Sequence, residues 1–317
     1  MAPEAQLEWE SRAGRAAGAA AILSAAAGLG GFIYANASLS SERANDSVDG
    51  AFAVHRHHGD LIVSAVAQAV GVILFAVAIA YLYRATRYRR PELRPQSLPL
   101  LVVGSIGYAA ALIGVQFAVI HAEDGVVKQL VAHPLKPKDA VDLADHSLTK
   151  GAPATWTLVL LGMGLLLGAG VALISQAARR TGLLSNFMGV LGIIVGVLLF
   201  IPIFGRPPII EYFWVVALGF LFLGRWPQGR GPAWETGEAV PWPTAAELRE
   251  QREAESGGGG DGRRADRATM RRLEKSARRA EAEEPDESDE VADDDEETAQ
   301  AAAAHPRSKK RKRKRRR

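Results

Sequence analysis

The chain has 317 residues, a mean hydropathy of +0.01 and a formal net charge of +3. These averages hide two parts of opposite composition, because residues 1–224 hold 30 charged side chains and residues 225–317 hold 43. A single globular domain does not have this distribution, which predicts a membrane-embedded body followed by a charged tail. The absence of cysteine excludes disulfides, zinc–thiolate sites and thiol nucleophiles.

The body contains six long, apolar stretches that are almost free of charge. A bilayer core is about 30 Å thick, so a spanning helix needs roughly 20 apolar residues. We therefore predict an all-α fold, a polytopic bundle of six transmembrane helices that follows a short amino-terminal segment, residues 1–16. The predicted spans are residues 17–37, 61–83, 98–120, 153–177, 183–205 and 207–224.

The first span has an alternative interpretation as a signal peptide. Arg12 and Arg15 resemble its positively charged start, and the alanine-rich stretch resembles its apolar core. Cleavage would then fall at Ala35-Asn36-Ala37. Removal of this segment would leave five spans with an unchanged orientation.

Positive charges near the span ends predict the orientation in the membrane. Residues 84–94 carry five arginines, the densest basic cluster of the body, and we expect this loop on the cytoplasmic side. Alternation of the spans then puts both termini in the cytoplasm and the segments 38–60 and 121–151 outside. The predicted location is the cell membrane.

The outer segments collect histidines and carboxylates, which are the ligands of zinc and related metals. Asp142 and His146 are four residues apart and share one face if this segment is helical. No spacing matches a recognised metal motif, so a metal site, a pH-responsive cluster and ordinary loop residues all remain open. The candidate ligands are His55, His57, His58, Asp60, His121, Glu123, Asp142 and His146.

The spans themselves are nearly devoid of ionisable side chains, and the first five have none between their ends. Ionisable groups inside a membrane usually mark proton relays or ion paths, so their absence argues against ion-coupled transport. The sparse polar residues, such as Gln68 and Gln116, predict hydrogen bonds between helices. Their alternative role is to bind an uncharged solute in a small-solute permease.

Glycines four residues apart mark the fourth and fifth spans. Gly164 and Gly168 form one pair, and Gly192 and Gly196 form the other. Each pair makes a flat stripe on which a second helix approaches closely. Since only a few residues around 179–182 join the two spans, we expect them to form a tight antiparallel hairpin.

The stretch from Leu173 to Ile203, LISQAARRTGLLSNFMGVLGIIVGVLLFIPI, resembles small uncharacterised bacterial six-helix membrane proteins. In those proteins a span ends, a short Arg-Thr-Gly-Leu-Leu turn follows and a glycine-rich span begins. The resemblance covers the body and excludes the tail. It implies six helices with both termini inside, and it assigns no activity and no site residue.

Glu211 is the exception to the charge-free spans. It lies in the sixth span, 207–224, about one helical turn below the predicted outer surface. One interpretation is a membrane-embedded carboxylate paired with Arg206 or with another outer cation. The other is a side chain that reaches up to the water among the lipid headgroups.

The predicted disordered tail, residues 225–317, separates its charges into blocks. Residues 281–297 hold 12 acidic side chains, and Arg307–Arg317 holds 10 basic ones. Such blocks repel internally and bury nothing. The basic end predicts contact with anionic lipid, nucleic acid or an acidic protein, beside the interpretation of the whole tail as a solvated low-complexity segment.

Three tryptophans, Trp226, Trp234 and Trp242, open this tail at intervals of eight residues. Indole rings beside a membrane exit favour the membrane interface, and recruitment of a partner protein is the alternative.

These patterns favour a structural or interaction protein that presents a charged cytoplasmic tail. A small-solute permease and an outer-face metal-binding protein or enzyme are the two alternatives. No arrangement of nucleophile and base predicts catalysis, and the sequence indicates no particular cofactor.

Overall fold

The computed structural model describes residues 3–40, 46–93, 95–200, 208–227 and 229–242, together with Arg249 and Met270. These residues contain helices and no strand. Contacts divide the chain into two units, Met1–Thr244 and Ala245–Arg317, and the described helices belong to the first. They are α1 (Pro3–Ser40), α2 (Ser47–Arg56), α3 (His58–Arg89), α4 (Ser97–Ala132), α5 (Pro137–Thr149), α6 (Gly151–Arg180), α7 (Asn186–Leu198), α8 (Ile209–Phe222) and α9 (Pro232–Thr236).

Four helical stretches are long and apolar enough to cross a membrane, namely Glu4–Ser40, His58–Arg89, Ser97–Ala132 and Pro137–Arg180. The last of these contains both α5 and α6. The helices α7 and α8 have 13 and 14 residues, so each is about 20 Å long. The body therefore has four long apolar helices and two shorter ones, where the sequence predicted six full spans.

Several helices continue beyond the predicted span ends. α1 begins at Pro3, well before residue 17, and α4 continues to Ala132 rather than ending at 120. Hydropathy detects only the apolar part of a helix. The helix itself can continue through polar residues that have a high helix propensity. α7 instead ends at Leu198, and residues 201–207, which include the predicted end of the fifth span at 205 and the predicted start of the sixth at 207, lie outside the described residues.

The apolar helices pack in a ring, in the order in which they occur in the sequence. α1 packs on α3, α3 on α4, α4 on α6 and α6 on α7, while α8 contacts both α7 and α1. The outward faces remain apolar, which is the surface that a lipid environment requires. On α3, the exposed side chains recur every three or four residues at Val63, Val66, Val70, Ile73 and Val77.

Opposite ends of the ring collect different segments. At one end, called the Arg89 end, the start of α1 meets the end of α3, the α6–α7 turn and α9. At the other, called the Asp60 end, Tyr34 of α1 donates a hydrogen bond of 2.8 Å to Asp60 of α3. There α2, α5 and the end of α4 form a small apolar cluster. The start of α1, the end of α3, the α6–α7 turn and α9 therefore meet at the Arg89 end, whereas α2, α5 and the end of α4 meet at the Asp60 end.

The glycines of α6 and α7 allow the backbones of these two helices to approach closely. A Cβ atom on Gly196 would lie 2.5 Å from the carbonyl oxygen of Gly168, and one on Gly164 would lie 2.5 Å from that of Leu199. Gly192 faces Ser175 of α6 and Trp214 of α8. The four predicted packing glycines therefore all lie where another helix leaves no room for a side chain.

We expect Gly168→Ala to lower the free energy of unfolding by about 1–3 kcal/mol, because the new methyl group overlaps the carbonyl of Gly196. Gly162 of the same helix has open space around it, so Gly162→Ala is the matched control and should be neutral or slightly stabilising. Unfolding in detergent, followed by tryptophan fluorescence, measures both. Equal effects of the two substitutions would contradict the close packing.

Candidate functional site

A buried ion pair joins α1 to α3 at the Arg89 end. The side chains of Arg89 and Glu10 are 0% and 3% exposed. The distances are 2.5 Å from Nη1 to Oε1 and 2.9 Å from Nη2 to Oε2, which makes the contact bidentate. Gln6 donates a further hydrogen bond of 2.9 Å to Oε1 of Glu10, so this carboxylate is well satisfied.

The same arginine also holds the segment that follows the last apolar helix. Nε and Nη2 of Arg89 donate to the carbonyl oxygen of Ala233 in α9, at 3.0 and 2.6 Å. A guanidinium presents its N–H donors in a rigid fork, so one side chain fixes the relative positions of a carboxylate and a carbonyl. Arg89 therefore connects α1, α3 and α9.

Trp234 fills the space beside this ion pair. It is 6% exposed, and its Nε1 donates a hydrogen bond of 2.9 Å to the carbonyl oxygen of Leu183 in the α6–α7 turn. Its ring stacks on Tyr81 with centroids 5.9 Å apart and meets the edge of Phe222 at 6.1 Å. We call Glu10, Tyr81, Arg89 and Trp234 the Arg89 cluster.

The position of Trp234 differs from both sequence-based interpretations, because its ring lies inside the protein rather than at the membrane interface or on a partner. Trp226 also packs against the core. The folded body therefore continues through most of residues 225–242, which the sequence assigned to the disordered tail. The density of charged residues did not predict that this stretch is folded, because the contacts of Trp234 are with residues far away in the sequence.

One local signal did mark α9. Pro232 occupies the first turn of the helix, and Gly237 follows its end with a φ of 73°. Proline at the start and glycine just past the end are the usual limits of a helix. The partner of α9 had no such signal, since Arg89 and Ala233 are 144 residues apart in the sequence.

The polar residues of α3 form hydrogen bonds within the bundle. Ser64 Oγ donates to the carbonyl oxygen of Gly31 in α1 at 2.8 Å, and Gln68 Nε2 donates to Ser64 Oγ at 3.0 Å. Glu211 is half-buried in the first turn of α8, close enough to Tyr108 and Tyr212 to interact electrostatically. Its predicted partner, Arg206, lies outside the described residues.

The predicted metal ligands form pairs at the Asp60 end. His55 Nδ1 lies 2.6 Å from Asp124 Oδ1, and His57 Nδ1 lies 3.1 Å from Asp60 Oδ2. His58 Nδ1 instead lies 2.9 Å from the carbonyl oxygen of His55. The remaining histidines and Asp142 are exposed along the helices, at His121, Asp142 and His146.

Three or more of these groups would have to converge to hold a metal ion. Within the ranges that the structure describes, no group of three or more His, Asp or Glu residues is arranged in that way. Metal binding therefore remains a prediction, and its strongest structural elements are the two His–Asp pairs.

Glu123 has the most unusual environment at this end. It lies 26 residues after the start of α4, or about 39 Å along the helix, which is beyond a bilayer core of about 30 Å. The side chain is 2% exposed, and Oε2 has no hydrogen-bond partner among the described residues. Burial, with a smaller contribution from the charge of Asp145, raises the pKa of Glu123 to about 7.

Four helical stretches long and apolar enough to cross a membrane, with exposed apolar side chains on their outward faces, indicate a helical membrane protein. Comparison with protein families, with characterised proteins and with solved structures gives no match. The likeness of residues 173–203 to uncharacterised six-helix proteins therefore remains a resemblance of sequence pattern, and the function is argued from the geometry alone.

We expect Arg89→Met to lower the free energy of unfolding by about 3–5 kcal/mol, because it leaves the Glu10 carboxylate buried without its cation. A second change, Glu10→Met, should recover much of this loss by removing the unpaired charge. The matched control is Arg12→Met, since Arg12 is 75% exposed and pairs only with Glu8 on the same helix. A mild effect of Arg89→Met, equal to that of Arg12→Met, would show that the pair does not hold the helices together.

The raised pKa of Glu123 predicts a pH dependence of stability. Between about pH 4.5 and 7 the folded protein keeps a proton that the unfolded chain has lost, so stability falls as the pH rises through this window and then levels off. Glu123→Gln should remove this fall, and the exposed Glu92→Gln should retain it. Thermal unfolding at pH 5 and pH 8 measures the difference, and identical profiles for all three proteins would contradict the assignment.

Proposed function

We propose that this protein is a multi-pass membrane protein whose bundle presents residues 243–317 from a fixed position, and that it acts through interactions of this charged segment. The observation that supports the proposal is the Arg89 cluster. Because Trp234 and the Ala233 carbonyl are held by the bundle, the charged segment begins at a defined point rather than from a free helix end.

The proposed orientation places the Arg89 end in the cytoplasm, with both termini on that side. Four arginines of the basic cluster, Arg84, Arg87, Arg89 and Arg90, lie in or directly after the last turns of α3 at this end, which supports the proposed orientation. We also propose that α1 is retained in the mature protein. Removal of α1 would take away Glu10 and leave the buried guanidinium of Arg89 without its carboxylate.

The basic end, Arg307–Arg317, is the proposed binding element. Ten cations in eleven residues attract polyanions and release counterions on binding. The acidic block 281–297 competes with an external polyanion for the same cations, since charges within a Debye length of about 8 Å interact. The bundle holds α9, after which the charged segment begins, and the two blocks set the affinity of that segment for a polyanion.

The two alternatives have less support. In a permease, Gln68 would be available to a solute, whereas it donates to Ser64 within the bundle. In an outer-face metal protein, several ligands would converge, whereas His55 pairs with Asp124, His57 pairs with Asp60, and no group of three ligands converges among the described residues.

The experiment uses the full chain in nanodiscs of zwitterionic lipid and a fluorescent single-stranded DNA as the polyanion. We expect binding that weakens steeply with salt and is lost when the ten Lys and Arg residues of 307–317 are changed to Gln. Neutralising the acidic block 281–297 in the same way is the matched control and should strengthen binding. Binding that is insensitive to both changes would overturn the proposal.

A further inference from the structure

A cleft opens at the Arg89 end between the start of α1 and the end of α8. Its volume is about 430 Å³. It is distinct from the buried ion pair and takes no part in holding α9 to Arg89. The lining residues are Ser11, Arg15, Leu223, Gly224, Arg230 and Glu235.

Arg230 forms the fixed wall of the cleft. Its Nη2 donates to the carbonyl oxygen of Phe222 and its Nε to that of Leu221 at 3.4 Å, both in the last turn of α8. Its guanidinium also lies 5.8 Å from the ring centroid of Trp234. These two bonds use two of the five N–H donors and offset the partial negative charge at the helix end. The other donors remain available to an anion in the cleft.

Arg15 is the second arginine that lines the cleft. Arg230 packs against α1 at the preceding residue, since a Cβ atom on Gly14 would lie 3.6 Å from Arg230 Nη2. Two guanidinium groups on one cleft repel each other, and an anion between them removes this repulsion. Glu235 contributes the single carboxylate of the lining, so the charged side chains of the cleft sum to +1.

The cleft lies at the charged end of the apolar stretch of α1. Arg15 is the last charged residue before the apolar stretch of α1, and it begins an exposed stripe that continues through Ala19, Leu23 and Ala26. These positions follow one another at intervals of three or four residues, so they lie on one face of the helix. Two of them are alanines, whose small side chains leave space for an acyl chain along this face.

We propose that this cleft binds the headgroup of an anionic phospholipid from the leaflet at the Arg89 end, with the phosphate between Arg15 and Arg230. The net charge of +1 matches a headgroup of charge −1. Glu235 accepts a hydrogen bond from a hydroxyl beyond the phosphate, which favours a glycerol headgroup over phosphate alone. The exposed stripe of α1 carries the acyl chains. This site goes beyond the proposed function, because it requires neither the charged segment nor a partner.

The test measures retention of one phosphatidylglycerol molecule by the full-length protein, using native mass spectrometry and thermal shift in detergent. We expect Arg15→Gln to weaken binding roughly tenfold or more, because it removes a charge-assisted contact to the phosphate. Arg15→Lys, which keeps the charge, should retain part of the affinity. Arg12→Gln is the matched control and should leave binding unchanged, since Arg12 lies outside the cleft and pairs with Glu8.

Separate probes identify the source of the anion. Inorganic phosphate and phosphatidylcholine should each bind at least about tenfold more weakly than phosphatidylglycerol, because the first lacks acyl chains and the second lacks net charge. Phosphate binding as tight as that of the lipid, equal retention of phosphatidylcholine, or equal losses in the Arg12→Gln and Arg15→Gln proteins would each overturn the proposal. All variants carry the same residues 243–317, so failure here is distinguishable from failure of the proposed polyanion binding.

Discussion

The Arg89 end depends on the pairing of one buried positive charge. A guanidinium taken out of water costs several kcal/mol unless its N–H groups find good acceptors. Arg89 finds them in the two carboxylate oxygens of Glu10 and the carbonyl oxygen of Ala233. These acceptors belong to α1 and α9. Removal of either helix would leave the buried guanidinium of Arg89 without part of the acceptors that it needs. α1 and α9 therefore belong to a single folded unit.

Within the apolar layer a different interaction must hold the helices together. Lipid chains are as apolar as leucine, so burial of apolar side chains gives little preference for one helix neighbour over another. The structure uses close backbone approach instead, as at Gly168 and Gly196, and hydrogen bonds between helices, as from Ser64 to Gly31. The outward faces expose valines and isoleucines, whose apolar side chains suit contact with lipid.

The two ends of the bundle offer different chemistry. At the Arg89 end, Arg15 and Arg230 line an open cleft, and the proposed polybasic element follows in the same chain. At the Asp60 end, His55 and His57 pair with carboxylates, and Glu123 is buried with one oxygen that has no hydrogen-bond partner among the described residues. Guanidinium groups attract anions, whereas imidazoles and carboxylates exchange protons, so the two ends differ in the ions with which their side chains interact.

Local patterns in the sequence were sufficient to predict the all-helical class and the long apolar helices. Hydropathy and charge are sums over neighbouring residues, so local patterns such as the valines of α3 and the arginines of 84–94 carry this information. The glycine pairs of α6 and α7 were also visible, because a stripe of small residues is itself a local pattern.

Three features became visible only in the folded molecule, namely the pairing of Glu10 with Arg89, the burial of Trp234 and the cleft that Arg15 and Arg230 share. Each of these contacts joins residues far apart in the chain. The sequence pattern placed Arg89 among the charges of a cytoplasmic loop. The spacing of the tryptophans favoured a position of Trp234 at the membrane interface. Whether a charge or a ring is buried depends on which distant partner it meets, and no local pattern encodes that partner.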